Sequence, residues 1–163
     1  GVPLPIVPVS DGAGTVQEVL GVPAATDVAW PAEGWADDHT LQTLADDGTT
    51  SVVLDSRSRP LVDPLGYTPD GRTQLPGGLI GWLSDPALSS LVAGAQAGDI
   101  LPVQQLLAQT ASLTTERPGL ARRVLVALPR DLDPDPVAFH RLLDALAGSP
   151  WVTRVAQIGR AHV

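Results

Sequence analysis

The stretch RRVLVALPRDLDPDPVAFHRLLDALAGSPW, residues 122–151, decides the predicted fold. Residues 122–128 are apolar and rich in β-branched side chains, which is typical of a buried strand. Residues 129–135 form a loop of Asp and Pro, and residues 136–146 carry apolar side chains at helical spacing before Gly148. Strand, loop and helix in this order build parallel sheets that are covered by helices.

The rest of the chain repeats this alternation of strand and helix. Residues 56–78, which contain several Pro, Gly and Asp turn signals, are predicted as a long loop. Asp37 or Asp38 is expected to cap one helix, and Ser84 or Asp85 another. Strands are predicted over residues 3–9, 26–30, 51–54, 79–83, 122–128 and 152–156, and helices over 15–20, 37–47, 84–95, 101–116 and 136–146. The order predicts an α/β fold with a parallel sheet and right-handed crossovers, in a single domain over residues 1–157 that is incomplete at both ends.

Composition excludes several classes of function. The net charge is −8 and all ten basic residues are arginine, so no basic stripe is available to bind nucleic acid. The chain has no Cys, which excludes disulfides, thiolate chemistry and Cys-type zinc sites. It has no Lys, which excludes Schiff-base chemistry and a phosphate-binding loop of the Walker type. No segment is apolar enough over a sufficient length to span a bilayer, so this piece is not expected to contact a membrane.

Carboxylates follow several of the predicted strands. In a parallel sheet the carboxyl ends of the strands share one rim, where chemistry is usually found. The rim candidates for general acid, base or nucleophile are Asp11, Glu33, Asp55 and Asp85. Asp85 also has a structural explanation as a helix cap, whereas Asp11 and Asp55 directly follow strands and Glu33 lies between two tryptophans.

Tryptophan and histidine bear on the kind of site. Trp35 lies in a polar stretch and is the candidate for stacking on a sugar ring. His39 lacks a second His at helical spacing, and His140 lies away from the rim, so no metal site is predicted. No strand is followed by the glycine fingerprint of a dinucleotide site, so no cofactor is expected.

Five segments together resemble a known family. They are AWPAEGWADDHTLQTLADDGTTSVVL (29–54), GYTPDGR (66–72), WLSDPALSSL (82–91), ERPGLARRVLVALPRDLDPDP (116–136) and ALAGSPWV (145–152). As a set they are similar to the actinobacterial domain-of-unknown-function family 6049, and the resemblance covers most of residues 1–157.

The resemblance implies a secreted envelope protein with a signal peptide, β-sandwich regions and a C-terminal membrane anchor outside this piece. It implies a partial (β/α) barrel of the glycoside hydrolase/deacetylase type, and an extracytoplasmic location. The family offers no established catalytic residues to transfer to this chain. Polysaccharide deacetylases use an Asp with two His on a metal, and this chain has no H-x-x-x-H, so deacetylase activity is not expected.

Three hypotheses about function follow. The first is a non-catalytic envelope domain that binds a glycan or a protein of cell-wall assembly. The second is a glycoside hydrolase that uses two of the four rim carboxylates, and the third is a structural scaffold. Rim carboxylates held in caps and ion pairs would favour binding or scaffolding, whereas two carboxylates about 5–9 Å apart in an open cleft would favour hydrolysis.

The last six residues, 158–163, are predicted to be an artefact. IGRAHV is encoded by ATC-GGA-AGA-GCA-CAC-GTC, the start of a widely used sequencing adapter in which the next triplet is a stop codon. A genomic read across this locus should therefore continue past Gln157 into other residues. A native gene that encodes IGRAHV directly before its stop codon would contradict the prediction.

Overall fold

A computed structural model describes residues 14, 17–19, 21, 23, 25–61, 63, 65–95, 99–129 and 132–153. The strands are β1 (Val28–Ala29), β2 (Ser51–Asp55), β3 (Arg72–Gln74) and β4 (Ile80–Ser84). The longer helices are α1 (Asp38–Asp46), α2 (Pro86–Ala95), α3 (Ile100–Glu116) and α4 (Pro136–Ala147). The strand predicted at 3–9 and the C-terminal segment 158–163 lie outside the described residues. Of the strand predicted at 152–156, residues 152 and 153 do not form a strand, and residues 154–156 lie outside the described residues.

The strands form one mixed sheet in the order β1-β2-β4-β3. β1 pairs with β2 and β2 with β4 in parallel, and β3 pairs with β4 in antiparallel fashion. Ser51 lies opposite Ile80 and Asp55 opposite Ser84, so β2 and β4 end together at one edge. The fold is therefore mixed α/β with parallel strands, as predicted.

β2 is the central strand, and all five of its residues are buried. Val52 and Leu54 have no exposed surface, and even Ser51 and Asp55 are only 2% and 9% exposed. A parallel strand covered on both faces is expected to be a continuous apolar run rather than an alternating one. The sequence SVVLD meets this expectation except at its last residue, whose charge needs a partner.

The apolar core is divided between the sheet and the helices. Next to the sheet, Leu41 of α1 packs with Val52, Leu54 and Leu79. Away from the sheet, α2, α3 and α4 pack together, and this helical cluster has Leu88, Val92, Ala95, Leu106 and Leu142 at its centre. Because each cluster takes residues from at least two elements, burial of apolar area holds the helices in place.

Aspartates cap the helices, as predicted for α1 and α2. The Asp37 carboxylate accepts a hydrogen bond from the Thr40 amide at 2.7 Å, and Asp85 accepts one from the Leu88 amide at 2.9 Å. Asp99 and Asp135 cap α3 and α4 in the same way. These bonds satisfy first-turn amides that have no partner inside the helix.

Two predictions about the sheet are wrong. Residues 56–78 are not wholly loop, because they contain β3. Residues 122–128 do not form a strand, and only Leu125 makes a parallel bridge, to Ser84. β3 pairs with β4 from Ile80 to Trp82, so it occupies the edge of β4 just before the bridge between Ser84 and Leu125.

Gly71 separates residues 122–128 from β4. Its amide donates to the Arg123 carbonyl at 2.8 Å, and its carbonyl accepts from the Leu83 amide at 2.7 Å. A Cβ at this position would lie 2.9 Å from the Arg123 oxygen and 3.2 Å from the Leu83 oxygen. Only glycine fits between these two backbones without displacing them.

Substituting Leu142, which is 1% exposed at the centre of the helical cluster, tests this core. Leu142→Ala should lower the free energy of unfolding by about 2–5 kcal/mol, because it removes buried methyl groups and leaves a cavity. Leu143→Ala is the matched control, since Leu143 is 43% exposed on the same helix. Urea denaturation measures both, and equal losses in the two variants would contradict the packing described here.

Candidate functional site

An open groove of about 300 Å³ lies just beyond the carboxyl ends of β2 and β4. We call it the rim groove, and its position is where α/β sheets usually bind ligands. Ser56 follows β2 and Asp85 follows β4, and both line it. The other lining residues come mainly from the loop before β3 and from the segment after α3: Arg59, Pro60, Leu61, Thr68, Pro69, Asp70, Gly71, Leu83, Arg123, Val124 and Leu125.

A second cavity of about 230 Å³ adjoins the rim groove. We call it the helical pocket, because most of its lining belongs to α2 and α3. Its walls share Asp85 and Thr68 with the rim groove, so the two cavities meet at these residues. The remaining lining residues are Leu88, Gln109, Ser112, Leu113 and Glu116.

Hydrogen bonds hold the loop that forms one wall of the rim groove. Asp70 accepts from the Arg123 guanidinium at 2.9 Å and from the Arg72 amide at 3.2 Å. Thr68 donates its amide to the Glu116 carboxylate at 2.7 Å. That carboxylate also pairs with Arg122 at 2.6 Å, and these bonds lower the pKa of Glu116 below its usual value. The wall is therefore fixed to both α3 and the segment after it.

Asp55, a predicted catalytic candidate, is engaged by Arg57. Its carboxylate accepts from the Arg57 side chain at 3.0 Å (Nε) and 2.7 Å (Nη2), and from the Arg57 amide at 2.8 Å. The Arg57 guanidinium holds the pKa of Asp55 below its usual range, although burial acts in the opposite direction. The Asp55 side chain is only 12% exposed, so the ion pair neutralises a charge at the end of a buried strand.

Glu33, another candidate, lies in an exposed turn that packs on the end of β2. Glu33 has φ 52°, in the left-handed region that side chains rarely adopt, and Gly34 has φ 70°. A Cβ on Gly34 would lie 2.5 Å from the Asp55 amide nitrogen, so only glycine permits this contact. The structure thus brings the backbone of Glu33 and Gly34 to Asp55.

Asp85 lies at the junction of the two cavities. Its Oδ1 accepts from the Leu88 amide, while its own amide donates to the Leu125 carbonyl at 2.9 Å. The prediction that Asp85 caps α2 is confirmed, and the same residue also faces the groove. The fourth candidate, Asp11, lies outside the described residues.

Trp35, the predicted sugar-stacking residue, is 55% exposed. The next residue, Ala36, has its carbonyl bound by the Arg59 guanidinium at 3.2 Å, and Arg59 also pairs with Asp38 at 2.9 Å. Because Arg59 lines the rim groove, it connects the Trp35 loop to the groove wall.

Several residues that line the two cavities were not predicted, among them Arg59, Thr68, Asp70, Arg123 and Glu116. The Thr-Pro-Asp-Gly turn at 68–71 was recognised as a turn signal, but its role as a groove wall depends on partners far away in the chain. Glu116 was treated only as the end of a helix. The sequence signal available for Arg59 and Asp70 was that each is a charged residue inside a long loop rich in Pro and Gly.

Two kinds of site are not found in the part of the chain that the structure describes. No group of three or more His, Asp or Glu side chains is placed to hold a metal ion. No helix there combines the length and apolar character needed to cross a bilayer.

The fold and the cavities define a mixed α/β domain with an open groove, lined by both apolar and charged residues, at the carboxyl edge of its parallel strands. The model of a family described as "Family of unknown function (DUF6049)" matches residues 8–156, and the chain belongs to this family. No curated protein and no solved structure matches the chain. The resemblance noted from the sequence segments is therefore confirmed at the level of the family.

The ion pair of Asp55 gives a prediction about pH. Asp55→Asn should lower the free energy of unfolding at neutral pH by about 1–2 kcal/mol, because hydrogen bonds to a charged group are lost while Arg57 stays hydrated. The pKa of Asp55 is lower in the folded chain, so its contribution is present above the usual value of 3.8 and is lost as the pH falls through the lowered folded value.

Denaturation of the wild type and the variant across the acid range measures this effect. The difference between the two curves should shrink as the pH falls, and a constant difference would count against it. Asp38→Asn is the control, since it also removes an ion pair with an arginine but its side chain is 71% exposed. It should change stability much less.

Proposed function

We propose that this chain is a non-catalytic domain of the cell envelope that binds a glycan in the rim groove, with Trp35 as a stacking surface. The observation that carries the proposal is the position of Arg59, which lines the groove and holds the exposed Trp35 loop beside it. An aromatic face next to a groove that combines apolar residues with hydrogen-bonding side chains such as Arg59, Thr68 and Asp85 suits a sugar ring, which has an apolar face and a polar edge.

The state of the rim carboxylates supports binding rather than hydrolysis. A glycosidase needs one carboxyl group that donates a proton, and such an acid has a raised pKa. Asp55 is held ionised by Arg57 and is therefore a poor proton donor. Asp85 uses one carboxylate oxygen to cap α2.

The extracytoplasmic location and the membrane anchor of a longer protein rest on the resemblance of the sequence segments to envelope proteins. Closure of the sheet into a barrel of the glycoside hydrolase/deacetylase type is also part of the proposal. It is supported by the parallel pairing of β1 with β2 and of β2 with β4, and by the parallel bridge from Ser84 to Leu125.

Retention of the purified chain on insoluble peptidoglycan tests the proposal. The wild type should sediment with the glycan, and Trp35→Ala should reduce the retained fraction severalfold because the stacking surface is lost. Trp151→Ala is the matched control. Trp151 is also exposed, at 41%, but it donates to Thr110 of α3 and does not line the groove.

Each other outcome has a definite meaning. No retention of the wild type would overturn glycan binding and leave the scaffold hypothesis. Release of soluble sugars during the incubation would overturn the non-catalytic assignment in favour of a hydrolase. Equal losses in the two tryptophan variants would remove Trp35 from the site.

A further inference from the structure

Asp85 is placed where a bound chain of sugars would pass from one cavity to the other. It lines both the rim groove and the helical pocket, which have volumes of about 300 and 230 Å³. Together these volumes fall within the range of sites for small ligands, about 300–1,000 Å³. A ligand of more than one ring would therefore contact Asp85 near its middle.

The other charged side chains that line the two cavities are paired within the protein. Arg59 pairs with Asp38 at 2.9 Å, and Arg123 pairs with Asp70 at 2.9 Å. Glu116 pairs with Arg122 at 2.6 Å. These pairs cancel, so they leave no net charge for a ligand to meet.

Asp85 differs from them because no arginine or histidine in the described residues forms an ion pair with it. Its Oδ1 accepts from the Leu88 amide, and no described donor reaches Oδ2. The positive end of α2 offsets only part of the charge, since a helix N-terminus is equivalent to about half an elementary charge. Within the part of the chain that the structure describes, the junction of the two cavities therefore keeps a partial negative charge.

We infer that the ligand is a sugar chain with protonated amino groups, and that Asp85 is the residue that selects it. The inference rests on the glycan-binding function proposed above. An ammonium group has three donors and a positive charge, so it satisfies the free oxygen of Asp85 and neutralises it. The net charge of −8 draws cationic ligands toward the protein and repels anionic ones.

Two matched oligosaccharides test the selection. One is a β-1,4-linked tetramer of glucosamine, and the other is its fully N-acetylated form, which is neutral. Binding is measured by calorimetry at a pH that keeps the amines of the ligand protonated. The wild type should bind the amino form about three- to tenfold more tightly, as expected for a partly exposed charge pair. Added salt should reduce the preference.

Asp85→Asn removes the charge and keeps the fold. Asparagine caps helices about as well as aspartate, so its side-chain oxygen continues to accept from the Leu88 amide. This variant should lose the preference and bind the two tetramers with equal affinity. Asp135→Asn is the control, because Asp135 caps α4 outside both cavities and its loss of charge should leave the preference intact.

The failure of this inference differs from the failure of the proposed function. If the wild type binds both tetramers equally and Trp35→Ala weakens both, the glycan site stands and selection by Asp85 is overturned. A preference that persists in Asp85→Asn also overturns it. If the wild type binds neither tetramer and is not retained on peptidoglycan, the glycan-binding function and this inference both fall.

Discussion

The structure depends on the burial of β2 on both faces. A strand that lies between two parallel neighbours and under packed side chains has no solvent-facing side, so every residue of SVVLD must be apolar or satisfied. This requirement applies above all to Asp55, because burying an unpaired carboxylate at that depth would destabilise the folded state. Arg57 supplies the charge from two residues further along, on the turn Ser56–Ser58. The carboxyl end of the strand is thereby fixed, and Gly34 can pack directly against its backbone.

The rim groove forms where two segments of the chain lie along the same edge of β4. Both β3 and residues 122–128 can pair there, and β3 takes the first three positions. The later segment keeps a single bridge, at Leu125, and is held away from the rest of the edge by Gly71. Asp70 and Gly71 line the rim groove on the side of β3, and Arg123 lines it on the side of the later segment. A regular fifth strand would have closed the sheet at this point, so the opening exists because the pairing is irregular.

Local features of this fold could be predicted and non-local ones could not. The four longer helices and the aspartate caps of α1 and α2 depend on residues a few positions apart, and they were predicted correctly. β3 has three residues, two of them exposed, and carries no apolar period, so only its partner identifies it. Residues 122–128 have a strand pattern, but that pattern does not tell whether another segment already occupies the edge of β4.

The candidate site shows the same difference between local and non-local features. Asp55, Asp85 and Trp35 were proposed because they follow strands or lie in a polar context, and of these three Asp85 lines the two cavities. Arg59 and Arg123 were missed because their carboxylate partners are 21 and 53 residues away.

Asp55 and Asp85 show how two similar sequence positions acquire different roles. Both carboxylates come at or just after the end of a parallel strand, and Asp55 lies directly opposite Ser84 in the register. Asp55 is nearly enclosed, so it needs a full countercharge and receives it from Arg57. Asp85 is only half-buried, and one hydrogen bond from α2 is enough to hold its side chain. A folded protein gains little from adding an arginine to a carboxylate that water or a ligand can reach. Asp85, which no described residue provides with a countercharge, is therefore the carboxylate whose charge remains available at the junction of the two cavities.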